Sequence, residues 1–142
     1  MASRSSIGVG LIGFGTIGTG VVKVLRSNAR SIEERIGRKV KLVRVGDLDT
    51  KTDRGVKLGK GVLVPDARAV IEDPAVDVVV ELIGGMEPAR SFHREALAAG
   101  KAVVTANLYW IRVERPFIKA YESLSCLGAT IFAAISVAET SA

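Results

Sequence analysis

The sequence predicts an α/β domain built on a doubly wound parallel sheet with helices on both faces. Runs of β-branched and other apolar residues alternate along the chain with amphipathic helical patterns, which is the order of elements in such a sheet. In addition, 48% of the 142 residues are hydrophobic, as expected where strands are buried on both faces. This length suffices for one core, so we expect residues 1–142 to form a single domain.

The first strand is predicted over residues 7–12, and it leads into the pattern Gly13-x-Gly15-x-x-Gly18. In this pattern the first glycine permits a tight turn, the second lets a pyrophosphate approach the backbone, and the third lets a helix pack closely. The free N–H groups of the helix that begins near Thr16 favour a phosphate group. A purely structural turn is the alternative, but the strand before it and the helix after it favour nucleotide binding.

The first helix and the second strand follow the glycine pattern. Apolar positions from Ile17 onward recur with a period close to 3.6, which predicts a long helix that breaks near residues 27–28 and ends near Gly37. Strand two is predicted over residues 40–45. Asp47 follows it, where a carboxylate accepts both hydroxyls of an adenosine ribose. The alternative is that Asp47 only forms a turn, which aspartate favours anyway.

Arg54 lies in the same loop as Asp47. An arginine at this place can pair with the 2′-phosphate of NADP, which would favour NADP over NAD. It can equally be a solvated loop charge, and the sequence leaves the two interpretations open.

The rest of the chain continues the alternation of helices and strands. The predicted elements are a loop over 50–61, a short helix over 67–72 with Asp66 as its N-cap, a strand over 76–83, a helix over 88–99, a strand over 102–105, a helix around 117–124 and a strand over 130–135. The expected strand order is 3-2-1-4-5, and a ligand should lie across the carboxyl ends of the strands where that order reverses.

Two features follow the strand over 76–83. Gly84 and Gly85 end it, and a glycine pair at the carboxyl edge lets a ligand lie against the backbone; the alternative is an ordinary turn, which needs only one glycine. His93 lies one step from the apolar face of the next helix. Because no acid or nucleophile is near it in sequence, we interpret His93 as a surface residue without a catalytic role.

The composition argues against several classes of function. The net charge is +5, but the basic residues are spread along the chain without interleaved aromatic residues, so no nucleic-acid partner is predicted. No apolar run approaches the roughly 18 residues of a membrane span, and the segment before the first strand is too short for a signal peptide. The single cysteine, Cys126, fits a small core residue in a reducing cytoplasm. No metal site is predicted.

Several segments together closely resemble the N-terminal nucleotide-binding domain of homoserine dehydrogenases, which has a Rossmann-type NAD(P)-binding fold. They are residues 9–22, 47–49, 73–85, 87–89 and 98–107. The resemblance is continuous over about residues 7–107. Val-Glu-Leu-Ile-Gly-Gly at 80–85 and Val-Val-Thr-Ala-Asn at 103–107 are much more specific for this family than the glycine pattern.

The resemblance implies a reaction and a set of site residues. The family oxidises homoserine to aspartate semialdehyde, or runs the reverse, with NAD or NADP, in amino-acid biosynthesis. The residues implied to hold the pyrophosphate are Gly13, Phe14, Gly15, Thr16, Ile17 and Gly18. Asp47, or the loop to Arg54, is implied to take the adenosine ribose. The residues implied to border the nicotinamide are Ile83, Gly84 and Thr105.

The sequence departs from the family pattern after residue 107. The family has a lysine at the catalytic end of the site, where this chain has Leu108; leucine donates neither a proton nor a hydrogen bond, so no catalytic residue is predicted. Residues 109–116 also differ from the family. After Ser136 and Val137, residues 138–142 replace a glycine-glycine-isoleucine-proline bridge. The family's substrate domain, with its catalytic groups and its dimer sheet, does not follow.

Three hypotheses are consistent with these features. The first is the cofactor domain or a truncated product of a homoserine dehydrogenase, inactive alone, whose partner would be a missing substrate domain or a second copy in a homodimer. The second is a stand-alone NAD(P)-binding protein or sensor, which Leu108 and the short tail motivate. The third is a decayed or frame-shifted remnant that folds without a function.

Overall fold

The computed structural model describes residues 5–105, which form five strands and four helices. In chain order they are β1 (Ser6–Ile12), α1 (Thr16–Ser27), α2 (Ala29–Ile36), β2 (Lys39–Gly46), β3 (Leu63–Val64), α3 (Ala67–Glu72), β4 (Val78–Glu81), α4 (Ala89–Ala98) and β5 (Ala102–Thr105). All the strands are parallel and belong to one sheet with the order β3-β2-β1-β4-β5. The predicted doubly wound parallel sheet is therefore confirmed.

The third strand is one that the sequence pattern does not predict. Leu63–Val64 pairs with the end of β2, whereas the apolar run within 76–83 forms β4 beside β1. The predicted order 3-2-1-4-5 is thus found, but its third strand is a different segment. The sequence did not predict this strand, because two residues are too few to show a period-2 pattern. The helix predicted around 117–124 and the strand predicted over 130–135 lie outside the described residues.

The helix boundaries agree with the local signals in the sequence. The predicted break of the first helix is found at Asn28, which ends α1 and precedes α2, and α2 ends at Gly37 in a left-handed conformation. The carboxylate of Asp66 caps α3 by accepting a 2.9 Å hydrogen bond from the backbone N–H of Arg68. No helix in the range 5–105 is long and apolar enough to cross a membrane.

Within residues 5–105 the core consists of two apolar clusters, one on each face of the sheet, because successive side chains of a strand point to opposite faces. Leu11 packs with Phe14, Val22 and Val45 in one cluster. Ile12 belongs to the other cluster, whose buried members are Ile12, Val70, Ile71, Val76, Val79, Phe92 and Ala96. The end of β1 is therefore anchored on both faces directly before the glycine turn.

The carboxyl ends of four strands lie in one row. Ile12 pairs with Gly46 on one side and with Glu81 on the other, and Glu81 pairs with Thr105. The segments that follow β1, β2 and β4 begin along this row, and they include the residues that the sequence assigned to a nucleotide. The row is the edge at which ligands bind in sheets of this kind.

Candidate functional site

The glycine turn after β1 is held by close backbone approaches. Gly13 has a φ of 98°, a conformation that side chains other than glycine rarely adopt. A Cβ atom on Gly18 would collide with the carbonyl oxygen of Gly13, and a Cβ atom on Gly13 would lie 2.9 Å from Cγ2 of Ile83. The tight turn predicted at Gly13 and the close packing predicted at Gly18 are both found, and the loop after β4 lies against the same turn.

The start of α1 is exposed within the range 5–105. Gly15, Thr16 and Ile17 are exposed, and a Cβ atom on Gly15 would meet nothing within 4 Å. Gly15 is the N-cap, no side chain in the described part of the chain caps the helix, and its first turn contains no acidic residue. The first N–H groups of a helix have no partner within the helix, and its dipole favours an anion there. These donors fit the diphosphate of a dinucleotide.

Phe14 contributes to this site through its backbone. Its ring is 3% exposed and packs in the cluster with Leu11, Val22 and Val45. Its N–H donates a 2.6 Å hydrogen bond to Oδ2 of Asp47. The sequence placed Phe14 among the residues that hold a pyrophosphate, whereas the structure uses its N–H to fix the residue assigned to the ribose.

Asp47 forms the turn that its sequence position predicts, and its carboxylate also contacts the glycine turn. Its Oδ1 atom accepts a 2.8 Å hydrogen bond from the N–H of Asp49, which forms the expected turn. Its Oδ2 atom is bound to the glycine turn through Phe14. Each carboxylate oxygen has a second acceptor position, so Asp47 is fixed at the end of β2 and can still accept ribose hydroxyls.

Arg54 is held by neighbouring carboxylates and is not a solvated loop charge. Its side chain is 14% exposed, with Nη2 lying 3.1 Å from Oδ2 of Asp49 and 3.5 Å from Oδ1 of Asp47. Its guanidinium also lies over the ring of Phe14, 5.4 Å from the ring centroid. Hydrogen bonds from Thr52 and Lys51, with the charge of Arg54, lower the pKa of Asp49 to about 2.

The loop after β4 has both of its glycines in the left-handed region. The φ angles of Gly84 and Gly85 are 68° and 74°. The turn itself therefore accounts for both glycines, contrary to the expectation that an ordinary turn needs only one. Within residues 5–105, a Cβ atom on either glycine would meet nothing within 4 Å, and Ile83 and Met86 beside them are exposed, so this loop presents backbone and two apolar side chains.

The interpretation of His93 as a surface residue is wrong. His93 is 1% exposed, and its Nε2 atom lies 2.9 Å from Oε2 of Glu81, which is itself 1% exposed. The hydroxyl of Thr105 donates a 2.7 Å hydrogen bond to the same oxygen. Residues 89, 92, 93 and 96 have the spacing of a buried helix stripe and all are buried, so this spacing was the signal that could have placed His93.

The Glu81 carboxylate is ionised in this network. Burial alone would raise the pKa of Glu81, but hydrogen bonds from His93, Thr105 and the N–H of Ile83 favour the charged form and hold the pKa below its usual value. An ionised carboxylate only accepts hydrogen bonds, so Nε2 of His93 carries the hydrogen. The sequence analysis did not single out Glu81, because its partners Thr105 and His93 are remote from it in the chain.

Three further expectations from the sequence concern metal binding, Leu108 and Cys126. Within residues 5–105 no group of three or more histidine, cysteine, aspartate or glutamate residues is arranged to hold a metal ion. Leu108 and Cys126 lie outside the described residues.

Comparison with known proteins identifies one family. A family model described as the NAD-binding domain of homoserine dehydrogenase matches residues 13–112. The chain is 46% identical over 101 residues to homoserine dehydrogenase of Methylobacillus glycogenes, which covers 71% of this chain and 24% of that protein. It is 42% identical over 102 residues to that of Bacillus subtilis (strain 168), covering 72% and 24%. The chain therefore spans about a quarter of the length of these curated relatives.

Solved structures agree with the sequence comparison. A homoserine dehydrogenase from Thiobacillus denitrificans is similar with a TM-score of 0.74 and 41% identity, over 84% of this chain and 27% of that one. Homoserine dehydrogenase of S. aureus at pH 6.0 is similar with a TM-score of 0.73 and 25% identity, over 84% and 32%. These similarities confirm the Rossmann-type fold.

Proposed function

Because this chain belongs to the family of homoserine dehydrogenase NAD-binding domains, we propose that it is the cofactor half of an enzyme of amino-acid biosynthesis. The proposed reaction is hydride transfer between NAD(P) and homoserine or aspartate semialdehyde. The observation that carries the proposal is one continuous edge, on which the exposed start of α1 lies beside Asp47 and the loop after β4.

Each part of this edge has a proposed role. Gly15, Thr16 and Ile17 bind the diphosphate through the start of α1, and Asp47 accepts the adenosine ribose hydroxyls. Ile83, Gly84 and Thr105 border the nicotinamide, which supplies the hydride chemistry. Phe14, Gly13 and Gly18 shape the turn, and they act through the backbone.

We propose NAD as the preferred cofactor of the two. A 2′-phosphate would enter beside the Asp47 carboxylate and be repelled by it. Arg54, the cation that could compensate, already lies between Asp47 and Asp49. Two carboxylates and one guanidinium leave this corner negatively charged, which favours a ribose with free hydroxyls.

We also propose that the chain alone does not turn over homoserine. Leu108 stands where the family has a lysine at the catalytic end, and leucine cannot take part in proton transfer. A substrate domain, or a second copy in a homodimer, would supply the missing groups. Because the one cysteine suits a reducing compartment, we place this activity in the cytoplasm.

Calorimetry of the chain with NAD, NADH, NADP and NADPH tests the proposal. We expect binding of NAD and NADH, with weaker binding of the phosphorylated pair. Absence of detectable binding at millimolar concentrations of all four would contradict the cofactor role. Turnover of homoserine by the chain alone with a kcat above about 1 per second would contradict the proposed inactivity.

A stand-alone binding protein or sensor is the second candidate, and Leu108 is the observation that favours it. This candidate shares the cofactor site and differs only in having no catalytic partner. Titration of the chain with a separately produced substrate domain of a relative distinguishes the two, because only the enzyme half would gain turnover.

A further inference from the structure

We propose that Glu81 is a positioning residue for the nicotinamide end of the cofactor site. Its buried carboxylate fixes the loop after β4 to the end of β5, with His93 of α4 as a further partner. The inference rests on the proposed function, and it names a group that acts on the cofactor only through the backbone it holds.

Four contacts to one carboxylate carry the inference. Oε1 accepts hydrogen bonds from the N–H of Ile83 at 2.7 Å and from the N–H of Gly84 at 3.2 Å. Oε2 accepts a 2.7 Å hydrogen bond from the hydroxyl of Thr105 and lies 2.9 Å from Nε2 of His93. Three of these four partners are the residues proposed to border the nicotinamide, so one charge holds the whole border.

Packing alone does not explain a glutamate at this position. Burying a carboxylate is costly unless hydrogen bonds replace its hydration. Val79 fills an interior position of the same strand with an apolar side chain. Glu81 differs because β4 ends there, so the N–H groups of Ile83 and Gly84 need an acceptor beyond the strand.

The held loop forms a wall against the glycine turn. Cγ2 of Ile83 would lie only 2.9 Å from a Cβ atom on Gly13, so the two segments are in contact. A loop released from Glu81 could shift Ile83 relative to this turn without unfolding the sheet. The start of α1 and Asp47 do not depend on Glu81 for any described hydrogen bond, so the diphosphate and the adenosine ribose would keep their partners.

Two ligands separate this role from a general structural one. NADH carries the nicotinamide, whereas ADP-ribose has the same adenosine, diphosphate and second ribose without it. In Glu81→Gln the amide nitrogen becomes a donor and faces other donors. We expect the Kd of NADH to rise about 10-fold or more, a change typical of lost charge-assisted hydrogen bonds, while the Kd of ADP-ribose changes less than about 2-fold.

The control and a second variant complete the experiment. Glu95→Gln replaces a carboxylate on the solvent side of α4 that pairs with Arg68, and it should change neither Kd. If Glu81→Gln does not fold, His93→Phe keeps an aromatic ring but removes the donor to Glu81, and it should show the same selective loss of NADH.

The outcomes are distinguishable. Equal losses for both ligands, or no loss, in the folded Glu81→Gln or His93→Phe chain would overturn the inference but leave the proposed function intact. An unmodified chain that binds neither ligand would overturn the proposed function and the inference together. Hydrogen exchange at the Ile83 and Gly84 amides, measured without ligand, should be about 10-fold faster or more in Glu81→Gln; unchanged exchange would also overturn the inference.

Discussion

The backbone N–H of Phe14 donates a 2.6 Å hydrogen bond to the carboxylate of Asp47, which joins the glycine turn after β1 to the end of β2. The glycine pattern at 13–18 and Asp47 are the two features that predict dinucleotide binding. They are far apart in the chain but are joined by this hydrogen bond in the structure. The same carboxylate also closes its own turn at Asp49. A change at Asp47 should therefore affect the shape of the glycine turn as well as the proposed ribose contact.

Asp47→Asn should weaken the binding of NAD and reduce the preference for NAD over NADP. The amide keeps one acceptor but loses the charge that repels a 2′-phosphate. We expect the Kd of NAD to rise about 10-fold, with a smaller change for NADP, by calorimetry. Asp53→Asn in the same loop, where the side chain caps only Gly55, is the matched control. An unchanged ratio of the two Kd values would contradict the proposed role of Asp47.

Gly18→Ala and Gly20→Ala should have opposite effects on stability. A Cβ atom on Gly18 would collide with the carbonyl oxygen of Gly13, whereas one on Gly20 would meet nothing within 4 Å. We expect Gly18→Ala to lower the free energy of unfolding by about 1–3 kcal/mol. Gly20→Ala lies in the same helix and should raise it by up to about 1 kcal/mol. Denaturant unfolding measures both, and similar values for the two variants would refute this account of the turn.

The contribution of Glu81 to stability should decrease at acidic pH. Its folded-state pKa lies below the ordinary value of 4.5, so the folded protein binds fewer protons there than the unfolded chain. The resulting stabilisation is fully present above pH 4.5 and is lost as the pH falls through the lower folded value. The difference in free energy of unfolding between the unmodified chain and Glu81→Gln should therefore shrink on acidification.

The free energies of unfolding of the two chains are subtracted because other carboxylates titrate in the same pH range. The pKa of Asp73 is also lowered, through hydrogen bonds from the N–H of Ala75 and from Arg44. Both chains share that contribution, so it cancels. Denaturant unfolding of both chains at several pH values between about 3 and 7 would measure the difference in their free energies of unfolding. A difference that does not depend on pH would contradict the assigned ionisation of Glu81.

Leu108→Lys should increase the turnover obtained with a supplied substrate domain if the chain is the cofactor half of an enzyme. The lysine can take part in proton transfer where leucine cannot, and groups of this kind contribute about 10²–10⁴-fold to rates. We expect at least a 10-fold gain in kcat when a relative's substrate domain is supplied, measured by the absorbance of NADH. Leu108→Met is the control. Equal rates for the two variants would favour the binding module.

Local signals predicted the parts of the fold that local chemistry determines. The sequence predicted the glycine turn, the break at Asn28 and the cap at Asp66. Such features can be predicted because turn and cap preferences depend on neighbouring residues. The sequence did not predict a strand at Leu63–Val64, because this segment is a strand through its pairing with β2 and not through its own residue pattern.

The candidate site was predicted where a motif covers it and missed where distant residues assemble it. Asp47 was proposed from its place after a strand, but its hydrogen bond to Phe14 depends on the register of β1 and β2. Glu81 and His93 were missed because their hydrogen bond joins a strand end to a helix face. An acidic residue within an apolar strand, followed by a histidine on the buried face of the next helix, is a sequence pattern that indicates a buried hydrogen bond of this kind.

The central position of β1 has a consequence for how the protein is made. Ser6 pairs with Lys39, and Val9 pairs with Val78, so this strand is synthesised before either neighbour exists. On the ribosome its apolar side chains and both backbone edges stay open, and the second edge closes only after residues 78–81 emerge. Contacts this distant in sequence form slowly, and an open strand edge pairs readily with other chains. The strand that carries the glycine turn is thus open to mispairing during translation until both of its neighbours have emerged.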